Sequence, residues 1–258
     1  MGEALVQVRR EGAVAVMTLN RPDKLNALST AVEEALGHAL ASNEVGSSAA
    51  VVIAGAGRAF SAGADVHEMR EQTAAAILEY YRETGSVYER VAALRQPTIA
   101  AIHGYCLGGG FELALACDFR VADGTAVFGL PEVGIGIVPS SGGTFRLVRT
   151  VGAARAKELL LLRDRFGAEE ALALGLVTLV VPEGRALARA IEVGGELAAL
   201  PPLAVEVAKR AVDAAAESSR EAGLLVERLA YGMLSQTEDH AEATAAFEEK
   251  RDPRFGGR

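Results

Sequence analysis

PTIAAIHGYCLGGGFELALACD, residues 97–118, changes character twice within 22 positions. Its first eight residues form a short apolar run, bounded by Pro97 and Gly104, that reads as a buried strand. Three successive glycines, 108–110, then lead straight into a helical run from Phe111 to Cys117. Bare backbone amides and the positive end of a helix dipole are thereby placed together, an arrangement suited to negative charge. Strand, glycine-rich loop, helix is the unit to look for elsewhere in the chain.

It recurs on both sides. LVQVR (5–9) and VAVMTL (14–19), parted around Glu11-Gly12, read as an antiparallel hairpin. Asn20-Arg21-Pro22-Asp23 interrupts it, and Ser29 is placed to cap a helix over 30–41 with Glu33 in its first turn. AAVVIAG (49–55) is a second buried strand, followed by a glycine-rich loop and a helical pattern over 68–94. After residue 118 come the short strands FRVA (119–122) and AVFG (126–129), a loop, and a helix from Thr144. Such alternation predicts an α/β architecture, and no fixed-period repeat accompanies it.

From about residue 153 alanine- and leucine-rich helical segments take over, broken by Gly167, Gly175, Pro182 and Pro201-Pro202. Only VTLVV (177–181) still reads as a strand. A core over 1–200 and a helical region over 201–258 are expected, the latter with apolar faces that suit packing against another subunit. The final RDPRFGGR reads as a loosely held tail.

Composition narrows the function. Half of the 258 residues are hydrophobic, yet no run approaches the roughly 18 that a membrane span needs, so no membrane association is expected. Charges near the N-terminus and the lack of a signal core point to the cytoplasm. A net charge of −8 opposes nucleic acid as a partner, and the absence of tryptophan argues against a base-stacking surface. Cys106 and Cys117 fit neither a redox pair nor a zinc site and read as buried small hydrophobes, so no metal is expected.

Three loops carry unusual chemistry. In FSAGADVHEM (60–69) small residues would let a ligand approach main-chain amides, or Asp65 would simply cap a helix. In the glycine-rich loop, Glu112 sits in the first helical turn, where the dipole favours its ionised form while apolar neighbours push its pKa up. In FGLPEVGIGIVPSSGG (128–143), Glu132 follows a proline in a stretch nearly free of other charge. Gly134 and Gly136 are too partial a motif for dinucleotide binding.

The segments NRPDKLNAL (20–28), AFSAGADVHEM (59–69), GYCLGGGFELALACD (104–118) and FGLPEVGIGIVPSSGGTFRL (128–147), in this order, resemble the enoyl-CoA hydratase/isomerase (crotonase) superfamily, closest to its hydratases. The resemblance implies a crotonase-type spiral of repeated ββα turns with a helical C-terminal trimerisation region, as a homotrimer or homohexamer. It implies addition of water to a 2-enoyl-CoA, with no permanently bound cofactor and coenzyme A as part of the substrate. The backbone N–H groups of Ala64 and Gly109 would form an oxyanion hole around the thioester carbonyl. Glu112 and Glu132 would be the acid/base pair, Glu112 taking the proton of water and Glu132 supplying one, with the roles open to sharing. Lys24 would meet a coenzyme A phosphate beside Leu25, and the main chain of residues 62–66 (Ala62, Ala64, Asp65 and Val66 among them) the adenine and pantetheine. Gly108, Leu130 and Ser140 would complete the substrate site.

Two departures set it apart from many straight-chain hydratases: Leu130 stands where they have a glutamine, and Ser140-Ser141 where they have a glycine after the proline. Both leave the acyl preference open to branched or cyclic chains. An enoyl-CoA double-bond isomerase needs only one carboxylate, and the presence of two speaks against it. A non-catalytic scaffold or RNA-binding homologue is opposed by the acidic charge and the intact glutamate pair.

Overall fold

The computed structural model describes residues 3–65, 67–68, 73–163 and 165–258. Six strands form the larger sheet, in the order β1 (Val6–Glu11), β2 (Val14–Leu19), β3 (Ala50–Gly55), β5 (Thr98–Ile102), β7 (Phe119–Asp123) and β10 (Leu179–Val181). A smaller sheet has β4 (Ala59–Ser61), β6 (Tyr105–Leu107), β8 (Val127–Gly129) and β9 (Phe166–Gly167), in that order. The first helices are α1 (Thr30–Leu40), α2 (Asn43–Gly46), α3 (Ala74–Arg82), α4 (Val87–Ala92) and α5 (Gly109–Ala116). They are followed by α6 (Gly143–Leu161), α7 (Ala168–Ala173), α8 (Ala186–Ala198), α9 (Pro202–Glu217), α10 (Arg220–Leu234) and α11 (Glu238–Glu249).

β1 and β2 pair antiparallel with Glu11 opposite Val14, and Gly12 turns the chain at φ 61°. Every other pairing in the larger sheet is parallel. From β3 onward the chain gives one strand to each sheet in turn: β3 then β4, β5 then β6, β7 then β8. Helices follow each pair, so the fold is the expected spiral of ββα turns.

Alternation along the strands builds two layers of core. Val14, Val16, Ala50, Val52, Ile99, Ala101 and Val121 face α8, whose Ala190 lies among them. Gly194 lets α8 close on this face, since a Cβ there would stand 2.8 Å from a Val14 methyl. Ala15, Met17, Val51, Ile53, Ala100, Ile102 and Ala122 face the other way, into a core shared with Leu36 of α1 and with Phe60, Phe111 and Phe128. Burial on both faces is why these strands read as continuous apolar runs.

The structure corrects the sequence reading in several places. The helical pattern over 68–94 is two helices, α3 and α4, joined by a single 3-10 turn at Thr84–Ser86; residues 69–72 lie outside the described residues. The break falls where Gly85 leaves room for two rings, as a Cβ there would stand 2.7 Å from Tyr80 and 3.0 Å from Tyr81. The long helix α6 is interrupted at Gly152, which has φ 76°. Two residues of β9 are too few to give a periodic signal. The C-terminal tail is not loose: Asp239 of α11 accepts N–H bonds from Gly256 (2.6 Å) and Gly257 (2.9 Å), and Arg251 pairs with Glu242 at 2.6 Å.

α9 packs chiefly against α10 and buries none of its own residues. Val212, Leu225, Leu229, Tyr231 and Met233 of the two helices are exposed. No helix among the described residues is long and apolar enough to cross a membrane.

Candidate active site

β4, β6 and β8 are neighbouring parallel strands, so their C-terminal ends run side by side into the loops at 62–65, 108–109 and 130–136. The three loops singled out in the sequence therefore meet at one edge, as ligand-binding loops do in α/β proteins. The first two touch directly. Gly63 has φ 99°, and a Cβ there would stand 2.8 Å from the Leu107 carbonyl and 3.4 Å from the Gly109 nitrogen. A Cβ on Gly109 would stand 3.5 Å from the Ala64 nitrogen. The Ala64 and Gly109 amides are thus close neighbours. Gly109 opens α5, where an N–H has no intrahelical acceptor and the helix dipole is positive.

The loop over 20–28 is strapped to this edge by Asn26, which is fully buried. Its Nδ2 donates to the carbonyls of Ala56 (2.9 Å) and Ala59 (2.8 Å), and its Oδ1 accepts the Arg21 N–H (2.9 Å). These bonds hold Leu25 and Asn26 at φ 50° and 55°, in the left-handed region that side-chain-bearing residues rarely enter. Ala62 N–H donates to the Leu25 carbonyl at 2.9 Å, bringing two of the expected ligand contacts together. Lys24 beside them is exposed. The Asp65 carboxylate pairs with Arg21 at 2.7 Å, which holds its pKa below the ordinary value, and its Oδ1 accepts the His67 N–H at 3.2 Å. It braces the 20–28 loop. Val66 lies outside the described residues.

Glu112 is 3% exposed. Its Oε1 accepts the N–H groups of Ser141 (2.7 Å) and Gly143 (2.8 Å). Gly143 has to be glycine here, since a Cβ would lie 2.7 Å from that same oxygen. Burial pushes the Glu112 pKa up, while the two amides and the charge of Arg146 pull it back. Arg146 is itself fixed, donating to the Ser141 carbonyl at 3.0 Å and pairing with Glu89 at 2.6 Å.

Glu132 stands in the 3-10 turn Pro131–Ile135 that follows β8. Its Oε1 lies 3.0 Å from where a Gly108 Cβ would be, so its carboxyl rests on the glycine that precedes α5. Its Oε2 is buried without a hydrogen-bond partner among the described residues. Burial lifts its pKa to about 7, with the charge of Glu112 adding to the rise. Near neutral pH, then, Glu132 can hold a proton, while at Glu112, whose pKa burial also raises on balance, two backbone amides offset part of that rise.

The remaining expected residues divide. Leu130 is 2% exposed and packs with the core. Ser140 is exposed and receives the Tyr81 hydroxyl, whereas Ser141 serves through its backbone N–H. His103 bonds the Gly57 carbonyl and His67 is exposed. Both cysteines are buried.

The sequence reading passed over Arg146, Tyr80, Tyr81 and Tyr88, and took Glu33 only as a first-turn residue. Glu33 did carry a signal: it lies three positions before Leu36 on the apolar stripe of α1, where a carboxyl is out of place. The others carried none, because their partners are distant in the chain.

A family model described as enoyl-CoA hydratase/isomerase matches residues 9–258. A 2,3-dehydroadipyl-CoA hydratase from Escherichia coli is 42% identical, over 97% of this chain and 98% of its own. A short-chain-enoyl-CoA hydratase from Clostridium acetobutylicum is 39% identical over 95% of both. Among solved structures, an enoyl-CoA hydratase from Bacillus anthracis superposes with a TM-score of 0.93 at 39% identity, covering 98% of this chain and 100% of its own. An alternating two-sheet spiral, two amides at one strand edge and similarity along nearly the whole length converge: the chain belongs to the enoyl-CoA hydratase/isomerase family and is an enzyme of its hydratase branch.

Proposed function

We propose that the protein is an enoyl-CoA hydratase that adds water syn across the double bond of a 2-enoyl-CoA, giving the 3-hydroxyacyl-CoA. The observation that carries this reading is the contrast between two buried carboxyls beside the Ala64 and Gly109 amides. Glu112 is gripped by two N–H groups, and Glu132 has a buried oxygen without a partner among the described residues.

The chemistry follows from those partners. The thioester oxygen accepts the Ala64 and Gly109 N–H groups. Glu112, as carboxylate, takes a proton from water while the water oxygen bonds to C3. Negative charge builds on the thioester oxygen, where the two amides and the α5 dipole stabilise it; one such donor is worth about 10²- to 10³-fold in rate. Glu132 then delivers its proton to C2, completing the addition of one water, and proton exchange with solvent resets both groups. All of this is proton transfer and charge stabilisation by the chain's own residues, with coenzyme A arriving as part of the substrate. Exposed Lys24 suits a phosphate of that moiety, and Leu25 with the main chain of Ala62 to Asp65 suits its adenine and pantetheine.

The same reading takes residues 201–258 as an oligomerisation region and the protein as a homotrimer or a homohexamer. The exposed apolar side chains of α9 and α10 support it. A sedimentation mass equal to one chain would refute it.

The direct test is loss of the conjugated thioester absorbance of crotonyl-CoA with the unaltered protein, Glu112→Gln and Glu132→Gln. Hydration by the unaltered protein and by neither variant supports the proposal. Turnover surviving in one variant, with a shifted double bond as product, replaces it with an isomerase.

A further inference from the structure

Behind the Gly109 amide lies a third buried glutamate, one that the proposed hydration steps do not use. Glu33 of α1 is 3% exposed. Its Oε1 accepts the Tyr88 hydroxyl of α4 at 2.8 Å, and its Oε2 accepts the Tyr80 hydroxyl of α3 at 2.5 Å. One carboxyl therefore ties three helices together.

Each arm of this hub reaches the site. The Tyr88 hydroxyl stands 3.2 Å from where a Gly109 Cβ would be, alongside the Ala64 nitrogen at 3.5 Å and Leu28 at 3.6 Å. Tyr88 is 2% exposed, so without Glu33 its hydroxyl loses its acceptor in a place that water does not reach. Tyr80 is followed by Tyr81, whose hydroxyl donates to Ser140, one residue before the amide that holds Glu112. α3 buries none of its residues, and Ile77 and Leu78 on it are exposed. Its hold on the body near the site therefore includes two tyrosine hydroxyls, one on Glu33 and one on Ser140. The rings rest over Gly85, where no side chain fits.

We propose that Glu33 is a positioning residue for the reaction: through Tyr88 it sets the Gly109 side of the oxyanion hole, and through Tyr80 it seats α3 beside Glu112. The inference rests on the hydratase reading, because it assigns Glu33 to the same thioester-binding amides. Burial lifts the Glu33 pKa to about 7, so a neutral amide is a close substitute for it.

The test uses the full-length protein in two measurements. In steady-state hydration of crotonyl-CoA, Glu33→Ala and Tyr88→Phe should lower kcat by about 10- to 100-fold, the scale of a misplacement on the order of 1 Å. KM should change far less, and Glu33→Gln should recover most of the loss. In the second measurement, cinnamoyl-CoA is bound to proteins that also carry Glu112→Gln, and the red shift of its absorbance reports how strongly the amides polarise the carbonyl. Glu33→Ala and Tyr88→Phe should shrink that shift, and Glu33→Gln should preserve it. Should Glu33→Ala fail to fold, Tyr88→Phe, which keeps the ring, decides the matter alone. Values of kcat within about twofold of the unaltered protein, together with an unchanged red shift, overturn the inference. So does a loss of kcat equal in Glu33→Gln and Glu33→Ala. Failure of the unaltered protein to hydrate crotonyl-CoA would instead sink the hydratase reading, so the two failures are distinguishable.

Discussion

Glu112 and Glu132 are the same residue type, both buried, each resting against a glycine, yet their surroundings differ. At the Glu112 corner two backbone amides point at one oxygen and Arg146 stands behind them. At the Glu132 corner one oxygen is buried without a partner among the described residues. Burial raises both pKa values, but two backbone amides and the charge of Arg146 oppose that rise at Glu112, against a single backbone N–H, its own, at Glu132. Hydrogen-bond partners, more than depth, set the two carboxyls apart.

The largest expected effect comes from erasing the contrast. Glu112→Gln and Glu132→Gln should each lower crotonyl-CoA hydration by about 10²- to 10⁴-fold, the range for loss of a general acid or base. A variant retaining near-normal turnover would remove that carboxyl from the mechanism. Next in size is Gly143→Ala, whose new methyl would lie 2.7 Å from Glu112 Oε1 and must displace it. The expected loss is about 10- to 100-fold in kcat, with the fold retained by circular dichroism. Full activity would mean that the grip of the two amides on Glu112 is dispensable.

The pH profile of kcat/KM sharpens the comparison further. In the proposed mechanism Glu132 acts while protonated, so activity should fall as pH rises through about 7. The same mechanism needs Glu112 ionised, so activity should fall again on the acid side. An alkaline limb well above 7 would contradict the assignment of Glu132 as donor.

The smallest effect is on stability. Glu33 and Glu132 have folded-state pKa values raised to about 7 from 4.5. Between those values the folded chain binds more protons than the unfolded one, so stability should decline as pH rises from about 4.5 to about 7. Glu33→Gln removes one of the two groups and should flatten the slope of urea midpoint against pH. An unchanged slope would mean that Glu33 carries its charge in the fold with little penalty.

Much of this was legible beforehand because it is local. The apolar runs at 14–19, 49–55 and 97–104 announced strands buried on both faces, and the glycines at 108–110 announced bare amides at a helix start. Ser29 capped α1 as expected, accepting the Val32 N–H at 3.3 Å. The break between α3 and α4 was hidden because it depends on two aromatic rings stacking over Gly85. The tail looked free because its anchor, Asp239, lies 17 residues upstream on another face of the chain.

By itself the sequence determined which groups this protein has to work with: two acidic side chains, glycines where a ligand must come close, and strands that can only be buried. The tertiary structure decided what each group meets. Protonation and charge stabilisation depend on atoms within a few ångströms, and for Glu112, Glu132 and Glu33 those atoms come from residues 24 to 55 positions away in the chain.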